Sequence, residues 1–154
     1  MLLAADGAAA YRPGIWALVA LVVVLAISVI VAKRERGRSD KLIADLPAGS
    51  WNAPCLDATS TAVKRLLIVN DDGVAIAETK SGTRDSWPWD EIKGVSQRPM
   101  RTRLQKNSGL RLSLANGHVR DLLVYVGTGK QSYERGAMEA QAQIERRLPA
   151  ASSD

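Results

Sequence analysis

Residues 14–32 read GIWALVALVVVLAISVIVA, an apolar run without one charged side chain. At ~1.5 Å per helical residue, about 19 residues reach roughly 28 Å, close to the hydrocarbon thickness of a bilayer. A soluble strand seldom exceeds about ten residues and would not stay apolar on both faces over this length. The run therefore predicts a transmembrane helix. Tyr11 and Trp16 at its start, and Lys33 and Arg34 at its end, are the interfacial aromatic and snorkelling cationic groups that suit its two boundaries.

After residue 61 the pattern changes to short runs separated by turn signals. AVKRLLIV, the turn NDDG and GVAIAETK predict a hairpin, with Val74 and Ile76 alternating against Ala75 and Ala77. SGTRD is a second turn. In SWPWDEIKGV, Trp87 and Trp89 are expected on one face of an extended segment, and Pro88 argues for a sheet edge or a strand entrance. MRTRL places Met100, Thr102 and Leu104 opposite Arg101 and Arg103. GLRLSLANG turns Leu110, Leu112 and Leu114 inward and Arg111 and Ser113 outward, and Asn116-Gly117 leads into HVRDLLVYV. Near the C-terminus the period lengthens: Tyr133, Ala137, Ala140, Ile144 and Leu148 form one apolar stripe on a helix ending at Arg146, Arg147 and Pro149. The expected fold class is mainly β with α: a transmembrane helix, an antiparallel sandwich or small barrel of six or seven strands, and a capping C-terminal helix.

The hairpin LLIVNDDGVAIAE followed by WPWDEIKGV resembles the small bacterial pleckstrin-homology-like (PH-like) domains often found on membrane proteins. Such domains show a glycine after the hairpin turn, then a Pro-Trp and an acidic-Ile-x-x-Val stretch in the third strand. The similarity covers about residues 62–148 and implies a PH-like β domain closed by its helix. The first hairpin lacks an inositol-phosphate signature, so the resemblance implies no lipid specificity, and fold analogy supplies no function.

Charge decides the compartment. Lys33, Arg34, Arg36, Arg38 and Lys41 follow the apolar run, against Glu35 and Asp40, whereas Arg12 and Asp6 precede it. This bias places the carboxyl side in the cytoplasm and the N-terminus outside, as a single-pass protein of the inner or plasma membrane. A cleaved signal peptide would want basic charge before a shorter run and a small-x-small site after it, and Ile30 stands two before Ala32. The expected organisation is a short extracytoplasmic N-terminus at 1–13, the helix at 14–32, a basic juxtamembrane segment and linker at 33–61, the β domain at 62–148 and a disordered tail at 149–154. Within the linker, Trp51 or Leu56 is expected to lay one short ordered piece on the domain.

Candidate chemistry is sparse. Cys55 is the single cysteine, so no intrachain disulfide forms, and it has no histidine beside it in sequence. VGTGKQS departs from a phosphate-binding loop at Val124 and Gln131, which leaves Gly127 and Gly129 as turn residues. His118 stands alone beside a turn, and Asp71 and Asp72 lack the oxygen-ligand spacing of a cation loop. No catalytic residue, metal site, cofactor or small-molecule substrate is expected.

The basic residues carry the remaining signal. The net charge is +5, from 21 Lys+Arg against 16 Asp+Glu. Residues 92–120 contain no acidic side chain, while Lys93, Arg98, Arg101, Arg103, Lys106, Arg111 and Arg120 accumulate there. This basic face suits membrane phosphates or an acidic protein partner; the plain alternative is lysine and arginine blunting sheet edges. Nucleic acid is not expected, because no aromatic platform is interleaved with the charges. The expected function is a non-enzymatic, membrane-anchored scaffold whose PH-like domain binds a protein partner or anionic lipid. The alternative is an accessory subunit of a membrane complex recognised through its transmembrane helix.

Overall fold

A computed structural model describes residues 12–101, 106–129 and 131–149. The chain divides into two units, Met1–Arg38 and Ser39–Asp154.

Helix α1 spans Arg12–Ala44. It is long and apolar enough to cross a membrane, and its apolar side chains are exposed in the isolated chain. Ser28, the one hydroxyl in the apolar run, donates back to the Val24 carbonyl at 2.8 Å. Its polar group is thereby satisfied where a bilayer would offer no partner. The helix does not stop at Ala32, as expected from hydropathy, but continues to Ala44. Residues 33–44 include three Arg, two Lys, one Glu, one Leu and one Ala, which favour helix, and Gly37 is the weakest helix former among them. Pro47 follows soon after the end.

The second unit is a seven-stranded antiparallel sheet curled into a half-barrel, followed by helix α2. The strands are β1 (Trp51–Asp57), β2 (Ser60–Val69), β3 (Gly73–Glu78), β4 (Arg84–Pro88), β5 (Ile92–Arg101), β6 (Lys106–Leu114) and β7 (Val119–Val124), with α2 at Ser132–Glu145. The order is β4-β3-β2-β1-β7-β6-β5.

The expected linker at 33–61 is thus corrected: between the end of α1 and the start of β2 it contains β1, which joins the two halves of the sheet. β1 pairs with β2 from Trp51↔Val69 to Leu56↔Lys64 and with β7 at Cys55↔Val124, Leu56↔Leu123 and Asp57↔Leu122. Pro54 hid this strand, since proline in a central strand ordinarily removes a ladder donor. Its carbonyl accepts from the Tyr125 N–H at 3.1 Å, on the β7 side. A residue's N and O point the same way in a strand, so the missing N–H also falls on that side, just past the β7 ladder, and costs no bond to β2.

The concave side of the sheet holds Ala53, Cys55, Leu67, Val69, Val74, Ile76, Leu110, Leu112, Leu114, Leu122 and Val124. Ala140 and Ile144 of α2 close over them. Leu148 packs on this core, as the helical stripe predicts. The opposite face of β2 and β3 buries Leu66, Ile68, Ala75 and Ala77 under Leu42 and Leu46. Two buried faces explain why LLIV and VAIA read as continuous apolar runs instead of a clean alternation.

Two local expectations change. Trp89 leaves the extended segment and lies in a short 3-10 turn, Trp89–Glu91, where its indole N–H donates to the Asp71 carbonyl at 2.9 Å. Helix α2 ends at Glu145, so Arg146 and Arg147 lie past it, and Arg147 donates to the Gly49 carbonyl at 3.2 Å. Gly136 lets α2 approach the sheet closely, because a Cβ there would overlap the Val124 carbonyl.

Two stability outcomes are expected. A fragment starting at residue 62 lacks the central strand and fails to give a cooperative urea transition, whereas one starting at residue 39 gives it. Gly136→Ala costs about 1–3 kcal/mol by overpacking, while Gly37→Ala, with open space around it, costs nothing in the same measurement.

Candidate functional site: a basic hairpin at the sheet edge

On α1, Trp16 is 71% exposed, and Lys33, Arg34, Arg36, Arg38 and Lys41 are all exposed on the helical extension. Their apolar stems and charged tips are the groups that bridge an apolar phase and water. Tyr11 lies outside the described residues.

The expected basic face of the β domain does not persist as one surface. Pairing supplies acidic partners from other strands to two of its members. Arg111 sits opposite Asp121 and grips it bidentately, Nε to Oδ1 at 2.7 Å and Nη2 to Oδ2 at 2.6 Å. That hydrogen bonding holds the Arg111 guanidinium above its ordinary pKa. Arg120 reaches Asp85 on β4 at 3.5 Å and lies 5.6 Å over the Trp87 ring. Both arginines are spent within the fold. Asp121 and Asp85 lie outside the acid-free stretch, so linear spacing could not show these pairings.

Arg98, Arg101 and Lys106 remain together on the β5–β6 hairpin, all exposed, and form no ion pair among the described residues. Arg103 lies outside the described residues. Register places the three on two faces. Arg98 pairs with Gly109 and shares the phase of Arg111, while Arg101 pairs with Lys106 on the phase of Leu110. Met100, opposite Arg101 in phase as expected, is therefore not on the leucine side: it is buried over Gly109 on the face opposite the core, where any side chain at 109 would collide with it. A shallow groove of about 300 Å³ runs along the hairpin between Gln97, Arg98, Pro99, Lys106, Asn107 and Ser108. Arg101 and Lys106 are like charges directly opposite each other, an arrangement that destabilises an antiparallel pair.

The other candidates fall into structural roles. Cys55 is fully buried, and desolvation pushes its thiol up to about 12 despite the nearby Arg65, so it is protonated and unreactive at neutral pH. His118 is exposed in the β6–β7 turn, where its backbone N–H donates to Asn116 Oδ1 at 2.9 Å. Asn70, next to Asp71 and Asp72, closes the β2–β3 turn by accepting from the Asp72 and Gly73 N–H groups at 3.1 and 3.0 Å. Gly127 and Gly129 take positive φ in the turn before α2, and Lys130 lies outside the described residues. Among the described residues no group of three or more His, Cys, Asp and Glu is placed to hold a metal ion. The sequence reading missed Asp57, a residue of the unrecognised strand: its carboxylate accepts from Thr59 and pairs with Arg65 at 2.7 Å. Burial raises its pKa, but the hydrogen bonds from Thr59 and the charge of Arg65 outweigh this and lower it overall.

No family model matches the chain, and no curated protein matches it. Ten solved chains match it, among them the following two. The C-terminal domain of an unknown protein from Leishmania infantum is 13% identical, over 75% of this chain and 98% of that one, with a TM-score of 0.44. The hSac2 domain from human phosphoinositide phosphatase Sac2 is 14% identical, over 81% of this chain and 84% of that one, with a TM-score of 0.51. At these identities the likeness concerns architecture alone.

Relief of the Arg101/Lys106 repulsion gives a direct test: Lys106→Glu is expected to raise stability by up to about 1 kcal/mol in a urea titration. For Asp57, a folded-state pKa below the ordinary 3.8 means stabilisation that is present above that value and lost as pH falls through the folded pKa. Asp57→Asn is therefore less stable than the wild type at pH 7, and the difference closes as the pH drops below about 3.8.

Proposed function

We propose that this chain is a non-enzymatic, single-pass membrane protein whose PH-like domain lies in the cytoplasm and presents the β5–β6 hairpin to acidic ligands. The observation that carries this reading is the cluster of Arg98, Arg101 and Lys106, which forms no ion pair among the described residues and lies within an acid-free stretch. The apolar helix followed by Lys33, Arg34, Arg36, Arg38 and Lys41 supports anchoring with the β domain on the cytoplasmic side. The strand order and following helix support a PH-like superfold, in line with the resemblance of LLIVNDDGVAIAE and WPWDEIKGV. A cluster of cations without local partners steers and holds acidic groups more than it catalyses. Acidic protein segments and anionic headgroups share that chemistry.

Full-length protein in a neutral-lipid nanodisc is expected to bind a fluorescent polyglutamate probe with salt-dependent affinity. Replacing Arg98, Arg101 and Lys106 by Gln removes about 0.5–1 kcal/mol per cation and weakens binding roughly 10- to 100-fold. Equal binding by the variant would sink the hairpin assignment. Topology is checked with a C-terminal tag: protection from protease in intact cells and digestion after lysis are expected, and digestion in intact cells would reverse the assigned orientation.

A further inference from the structure

Resting on the reading of the hairpin as a surface for acidic ligands, we infer that the ligand is an extended acidic segment of a partner protein, which adds to the free edge of β5 as an eighth strand.

β5 ends the sheet order and pairs only with β6. Helix α2 also packs on β5, but across the exposed residues 96–99 the backbone hydrogen bonds among the described residues are those to β6, which leaves the outer row of donors and acceptors open there. Ser96, Gln97, Arg98 and Pro99 are exposed in succession, which leaves both faces accessible beside that edge. The other edge strand, β4, is shorter and has Asp85 engaged by Arg120.

Charge selects among occupants of such an edge. A second copy of β5 would bring arginine against arginine and lacks any acidic residue to offset it. Pro99 withholds one donor and further discourages self-pairing, while leaving the rest of the ladder. A flat anionic bilayer reaches one face of the sheet, yet Arg98 stands on one face and the Arg101/Lys106 pair on the other. A strand added at the edge projects side chains alternately to both faces. Two acidic residues three positions apart then fall on opposite faces: one meets Arg98, and the other meets Arg101 and Lys106 and relieves their mutual repulsion. Acidic residues two positions apart share a face and reach only one of these sites.

The test uses full-length protein in a phosphatidylcholine nanodisc and labelled Thr/Val peptides about eight residues long, each with two glutamates. Fluorescence anisotropy is expected to show the three-apart peptide binding roughly fivefold or more tighter than its two-apart isomer. N-methylation of alternate peptide nitrogens is expected to abolish binding, because it removes the ladder and keeps the charge. Lys106→Glu is expected to weaken the three-apart peptide without lowering Tm, which separates lost recognition from lost folding. Indifference to spacing and N-methylation, or competition by phosphatidylserine vesicles with no peptide preference, overturns strand addition and leaves the acidic-ligand reading standing. Failure of every acidic probe overturns both.

Discussion

The two-sided pairing of β1 is the constraint on which the domain rests. On one side it holds β2, β3 and β4, and on the other β7, β6 and β5. Cys55, with 0% exposure, sits where Arg65 and Val124 both face it across the strand. Residues from either half reach the same concave core because this strand fixes their relative register, and α2 then has a defined surface of β5, β6, β7 and β1 to pack against. The conformational cost of closing a contact between β1 and β7, far apart in sequence, is met by burying leucines and valines contributed by both halves.

The same closure sorts the charges. Bringing β7 alongside β6 delivers Asp121 to Arg111, and curling the sheet delivers Asp85 and Trp87 to Arg120. These pairs take Arg111 and Arg120 out of what looked like a continuous basic surface. Toward the open end of the β5–β6 hairpin, Arg98, Arg101 and Lys106 form no ion pair among the described residues, and Arg101 and Lys106 are left facing each other. Repulsion retained at an exposed strand edge is an electrostatic cost that folding does not relieve but an acidic ligand does. A cost of that kind is more informative about function than a satisfied pair, which explains itself.

Much of the architecture is legible before any tertiary information. The apolar run at 14–32 needs only length and hydropathy, and α2 needs only the spacing of Ala137, Ala140 and Ile144. Leu110, Leu112 and Leu114 show their inward phase because a strand with one buried face must alternate. β1 was illegible for a specific reason. Its inward residues, Trp51, Ala53, Cys55 and Asp57, are of mixed polarity, and Pro54 is tolerated only because β7 ends beside it. Trp89 was misplaced because Pro88 ends the strand and the chain turns there, which the alternation of two tryptophans conceals. Alternation alone sets Met100 opposite Arg101 but not where it packs: it is buried on the face away from the core, since Gly109 on the neighbouring strand makes the space.

An apolar helix with a basic flank, a set of short antiparallel strands, an amphipathic last helix and a stretch free of acidic residues all follow from reading the chain one segment at a time. Those properties are local: they depend on side-chain period, composition and charge within a few residues of one another. Which strand joins the halves, which cations are paired and which two faces the remaining ones occupy emerge only when the sheet is assembled. Such outcomes are set by register between segments distant in the chain, and a shift of one residue in that register would exchange the faces of every side chain along the strand.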